Sequence, residues 1–160
     1  MPYEANSGLG VFTQYGRRNT GGAIGVDHSQ NSVHRLTVHL TGEMINSALI
    51  RPAVMPKGAR VLRYFLDVDE AFSLGGTSPT VIVGGTAPAT DGVVLTKAEL
   101  EAVGSKVPAS TGTGTWSTSS TTGTTANERV KEVLGGTTPT VSPTQGRATL
   151  VVEYINVNKV

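Results

Sequence analysis

The sequence predicts an all-β fold: an antiparallel β-sandwich, jelly-roll-like, with one short helix and an extended N-terminal arm. Three observations carry this. Residues 58–68 alternate almost strictly, with Leu62, Tyr64, Leu66 and Val68 on one face and Val61, Arg63, Phe65 and Asp67 on the other. Residues 147–157 (RATLVVEYINV) have the same character and form the natural companion strand. The 160 residues include 20 Gly and 8 Pro and are rich in Thr and Ser, so helix formers are thin and turns are many. A chain of this length is expected to form one domain with a sizeable core. The expected division is an arm over residues 1–25 and a single β-sandwich domain over 26–160.

The arm is Gly-rich and irregular (SGLGVFTQYGRRNTGGAIG), with Val11, Phe12, Tyr15 and Ile24 among turn residues. Aromatic side chains in a loop-like arm imply docking, on the chain's own domain or on a neighbour. Tyr3, Phe12, Tyr15, Arg17 and Arg18 are the candidate partner-contact residues. The Arg17–Arg18 pair beside Tyr15 suits a phosphate or carboxylate on a partner, with solvated loop charges as the plainer reading.

Residues 33–40 alternate as a strand, with His34, Leu36, Val38 and Leu40 on one face and Val33, Arg35, Thr37 and His39 on the other. Thr41-Gly42 ends it. Residues 43–50 (EMINSALI) fit a short helical turn or a strand equally. Pro52 and Pro56 bracket an apolar triplet, and residues 55–58 (MPKG) turn into the central strand. Val81, Ile82 and Val83 form a short strand between two Gly-Gly pairs, and Thr90-Asp91-Gly92 is a turn before the apolar Val93-Val94-Leu95. Thr96-Lys97-Ala98-Glu99 is a capping box that opens a helix over 97–103, stopped by Gly104.

Residues 109–125 are low in complexity: twelve of the seventeen are Ser or Thr, and no charge occurs between Lys106 and Glu128. Such composition usually gives a flexible loop. The single Trp at its centre argues instead for strand-like order over 114–118, with Trp116 buried. Residues 128–134 (ERVKEVL) fit strand better than helix.

One octapeptide recurs. Residues 74–81 read LGGTSPTV and residues 134–141 read LGGTTPTV, differing only at Ser78 against Thr138. Gly-Gly followed by Pro reads as a turn, so two related loops at one end of the sandwich, or a partial duplication, are the expectations.

Chemistry is sparse. The sequence has no cysteine, which excludes disulfides, thiolate metal sites and Cys nucleophiles. His34 and His39 lie on opposite strand faces, and His28 sits in a turn, so the three histidines do not converge on a metal. Asp67, Asp69 and Glu70 are the densest acidic cluster. Asp67 and Asp69 share a face in a regular strand, but the Asp-x-Asp-x-Asp-Gly pattern of a Ca²⁺ loop is missing, so edge-guarding charges are expected. No phosphate loop or Gly-x-Ser-x-Gly elbow occurs. No enzyme, metal or cofactor is expected.

Net charge is +1, which gives no electrostatic case for nucleic acid or membrane. Residues 1–10 lack a basic region followed by an apolar run, and no apolar run approaches the roughly 20 residues that span a bilayer, so synthesis in a cytoplasm is expected. Charged residues make up 16% of the chain against about 25% for an average globular protein. So little charge favours a subunit of an assembly over a free monomer.

The opening SGLGVFTQYGRRNTGG, the segment MPKGARVLRYFLDVDEAF, the LGGTTPTV octapeptide and the ending GRATLVVEYINV together resemble small structural proteins of tailed bacteriophage virions, most closely head decoration or cement proteins. The resemblance implies a sandwich or jelly-roll protein on the capsid exterior. Its partners would be the major capsid protein and copies of itself, as a trimer or dimer. A different class remains open from the residues: a receptor- or carbohydrate-binding module of a phage tail or fibre, with Trp116 and Tyr15 stacking on sugar rings.

Overall fold

The computed structural model describes residues 33–47 and 53–157. The chain divides into two units, Met1–Ser32 and Val33–Val160, and every described residue belongs to the second. The arm boundary at residue 25 and the contact residues Tyr3, Phe12, Tyr15, Arg17 and Arg18 lie outside the described residues, as does His28.

The elements run β1 (Val33–Thr41), α1 (Gly42–Asn46), β2 (Val54–Met55), β3 (Ala59–Glu70), β4 (Leu74–Gly84), β5 (Gly92–Thr96), α2 (Lys97–Glu101), β6 (Gly104–Lys106), a 3-10 turn (Gly114–Trp116), β7 (Glu128–Arg129), β8 (Lys131–Val141) and β9 (Arg147–Asn156). They build a four-stranded sheet in the order β1-β9-β3-β6, a three-stranded sheet in the order β5-β4-β8 and a two-stranded pair β2-β7. Every pairing is antiparallel. Val38, Leu40, Val61, Tyr64, Leu66, Leu150 and Val152 of the larger sheet share one buried core with Val81, Val83, Val93, Leu95 and Val141 of the smaller. The arrangement is the sandwich that the alternation predicts.

The companion strands are confirmed: β3 pairs with β9 along most of its length. Its faces are not those of a regular strand. The register shifts between Val61 and Arg63, so Leu62 is a bulge residue and Val61 joins Tyr64, Leu66 and Val68 on the core face. One inserted residue moves everything before it to the other side of the sheet. A second shift between Val68 and Glu70 puts Asp69 in a bulge, and Asp67, Asp69 and Glu70 are all exposed at this end of the strand. Position counting cannot see either bulge.

Residues 43–50 resolve in part to a helix. Thr41 is its N-cap, with its Oγ1 accepting from the Met44 amide at 3.2 Å. The capping box also forms. The Glu99 amide donates to Thr96 Oγ1, and the Thr96 amide donates to Glu99 Oε2 at 2.9 Å. This helix ends at Glu101, short of the expected Val103. Lys106 from β6 donates its ammonium to the Glu99 and Ala102 carbonyls and so caps the C-terminal end.

The Ser/Thr stretch is ordered by hydrogen bonds to residues of β3 and β5 far away in sequence rather than by forming a strand of its own. Its centre is the 3-10 turn Gly114–Trp116, not a strand, and Trp116 is fully buried. Tyr64 donates its hydroxyl to the Trp116 carbonyl, Arg60 Nε donates to the Ser120 carbonyl at 2.9 Å, and the Trp116 indole donates to Glu128 Oε2 at 3.0 Å. The Val94 and Gly92 amides on the outer edge of β5 donate to Ser110 Oγ and Thr113 Oγ1, each at 3.2 Å. Hydroxyls of the low-complexity loop thereby close a sheet edge that would otherwise stay unsatisfied.

Candidate interaction surfaces

Two exposed surfaces stand out. The first is the face of the four-stranded sheet turned away from the core. Registered rows cross β1, β9 and β3 there: Arg35, Glu153 and Arg63; then Thr37, Val151 and Phe65; then His39, Thr149 and Asp67. A basic row, an apolar row and an acidic-to-polar row therefore follow one another along the strands.

Glu153 anchors the basic row. Arg35 Nε donates to one carboxylate oxygen at 2.8 Å and Arg63 Nε to the other at 2.5 Å. The Glu153 side chain is 3% exposed, while those of Arg35 and Arg63 are 70% and 63% exposed. The carboxylate lies under two guanidinium groups that hold their outer nitrogens toward solvent. The Arg63 bond first, then the Arg35 bond, hold the Glu153 carboxyl below its ordinary range. Arg63 also covers the Phe65 ring at 5.0 Å from its centroid. One negative charge pinned between two positive ones leaves this row net positive.

Beside the apolar row runs a groove of about 420 Å³ lined by Phe65, Val151, Thr149, Lys106 and Val107. Val107 is 66% exposed. Asp67 closes the far side and accepts from Ser105 Oγ at 2.7 Å.

The second surface is the β4-β8 ribbon, and here the repeated octapeptide is explained. The copies are neither end loops nor turns. They are neighbouring strands that pair with each other, Leu74 with Val141, Gly75 with Thr140, Thr77 with Thr137, Thr80 with Gly135 and Val81 with Leu134. A local two-fold axis thus relates one copy to the other. Both copies have positive φ at the same two places: Gly76 (101°) with Ser78 (49°), and Gly136 (111°) with Thr138 (45°). The ladder slips on either side of Thr77-Thr137. Gly-Gly and the Pro, which read as a turn, make a paired bulge instead. Residues 76–78 and 136–138 are exposed and uncharged.

The remaining candidates do not converge. His34 stacks on Tyr154 with ring centroids 5.5 Å apart, while His39 sits on the opposite face near Thr149 Oγ1. Glu70 accepts from the Gly146 amide at 3.0 Å and lies 3.7 Å from Arg147. Among the described residues no group of three or more His, Asp or Glu could hold a metal ion. Trp116, fully buried, presents no face on which a sugar could stack. Among the described residues no helix is long and apolar enough to cross a membrane.

The anchoring of Glu153 is hidden in the sequence because its partners are 118 and 90 positions away. The only signal is a lone acid at an apolar strand's centre, within VVEYI.

No family model matches the chain, and no curated protein matches it. Among solved structures, a chain of the cyanophage Pam1 capsid asymmetric unit is similar at a TM-score of 0.49 and 19% identity, covering 89% of this chain and 95% of that chain.

Proposed function

We propose that this chain is a structural protein of a tailed-phage virion that decorates and cements the capsid exterior. It would bind the major capsid protein and copies of itself without covalent bonds. The carrying observation is the outer face of the four-stranded sheet, where Glu153 fixes the charges of Arg35 and Arg63 in place beside the apolar Val151 and Phe65. Such a surface suits protein contact, where electrostatic complementarity sets register and apolar area supplies affinity. Two of the segments that resemble phage structural proteins supply its framework: MPKGARVLRYFLDVDEAF contains β3 and GRATLVVEYINV contains β9. Repetition over a capsid lattice would let weak individual contacts add up.

The arm carries the second part of the reading. Tyr3, Phe12, Tyr15, Arg17 and Arg18 contact another chain. Removing residues 1–16 abolishes capsid binding and leaves the sandwich folded, as read by circular dichroism and co-sedimentation. An arm-less protein that still coats capsids would defeat the role given to the arm.

A further inference from the structure

We propose that the outer face of the four-stranded sheet is a docking surface for a second copy of this chain, packed face to face about a two-fold axis. The order of its rows carries this. Arg35, Glu153 and Arg63 lie on one side of the apolar Thr37, Val151 and Phe65 row; His39, Thr149 and Asp67 lie on the other. A two-fold axis that runs across the strands at the level of Val151 turns the strands end for end and keeps β3 over β3. It sets the apolar row on itself. It also sets Arg63 of each copy over Asp67 of the other, giving two reciprocal ion pairs. The alternative axis, along the strands, sets Arg35 over Arg63 and is repulsive, so the charges select one of two orientations. Aligned sheets pack at about 30° to each other. The groove beside Phe65 can then receive the Phe65 ring of the second copy.

The face is small. Three strand spacings of about 4.8 Å and nine residues of about 3.3 Å give on the order of 430 Å² per copy. That is about half of a standard interface, roughly 800 Å² per partner, so the dimer is weak alone. The face-to-face dimer deepens the self-association proposed for this chain and rests on that part of its function, not on the capsid partner.

The test is sedimentation equilibrium of the full chain from about 10 µM to about 1 mM, a range chosen for an interface of this size. The chain, 16.6 kDa, is expected to pass from monomer to dimer. Asp67→Lys places a cation opposite Arg63, and Val151→Glu puts a charge at the apolar centre; each should weaken the dimer by about tenfold or more while thermal melting shows a folded protein. Thr77→Lys, on the β4-β8 ribbon, should leave the dimer constant unchanged. A chain that stays monomeric, a trimer, a dimer indifferent to both face variants, or a dimer lost through Thr77→Lys would each overturn the inference. Capsid pelleting is scored separately: a chain that binds capsids but stays monomeric defeats this inference and the self-association it rests on, a trimer defeats this inference alone, and a chain that dimerises without binding capsids defeats only the capsid reading.

Discussion

Gly76 lies against the carbonyl of Thr138: a Cβ built on Gly76 would come within 2.5 Å of that oxygen. The reciprocal approach, Gly136 toward the Ser78 carbonyl, is 2.6 Å. The two octapeptides therefore interlock through backbone, and each glycine is required twice over, by its positive φ and by the neighbouring oxygen.

Gly76→Ala and Gly136→Ala should each destabilise the fold by about 2 kcal/mol or more, since left-handed backbone alone costs a non-glycine residue roughly 1–2 kcal/mol. Urea denaturation measures this. Equal losses at the two positions are expected from the local symmetry, and a loss at one position only would break the equivalence.

The converse holds at Ser78 and Thr138, the two non-glycine residues with positive φ among the described residues. Glycine there relieves about 1–2 kcal/mol of backbone strain against roughly 0.5–1 kcal/mol of added chain entropy. Ser78→Gly and Thr138→Gly should stabilise by several tenths of a kcal/mol. Thr138→Gly should gain more, because a β-branched side chain fits this region worst. Urea midpoints of the two variants check the order.

Trp116 is a core anchor. Trp116→Ala should cost about 3–5 kcal/mol, the usual range for deleting a buried large aromatic. Glu128→Ala removes the acceptor of the buried indole N–H and should cost about 1–3 kcal/mol. Intrinsic fluorescence should be blue-shifted and unmoved by added polysaccharide. A shift that saturates with polysaccharide would instead revive the carbohydrate-binding reading.

Glu153 gives the fold an acid-sensitive component. Its folded carboxyl titrates below the ordinary value because of Arg63 and then Arg35. A depressed carboxyl contributes stability that is full above the unfolded value, about 4.3. That contribution falls away as pH drops through the folded one. Glu153→Gln should therefore lower the melting temperature near pH 7, where two guanidinium groups lose their shared anion. It should also flatten the fall in melting temperature below about pH 4.3. Melting curves across pH measure both, and parallel acid limbs for the two proteins would contradict the assignment.

Local pattern carries much of this fold. Alternation places β1, β3 and β9, and Thr96 with Glu99 marks the start of α2, because each signal lies within a few residues of its effect. Trp116 is legible as buried for the same reason: a lone large aromatic in a Ser/Thr loop has to be covered. What is not legible depends on pairing between distant segments. The bulge at Leu62 arises from the β9 register, the octapeptide's role from the β4-β8 ladder, and the charge rows from three strands brought together. The octapeptide misleads because Gly-Gly-x-x-Pro has the same local preferences in a turn and in a paired bulge.

The capsid reading is tested most directly by adding the purified chain to phage capsids assembled without it, pelleting the particles, and counting bound copies against added protein. Saturable binding at a fixed number of copies per particle is the predicted result. A chain that stays in the supernatant at every concentration would contradict it.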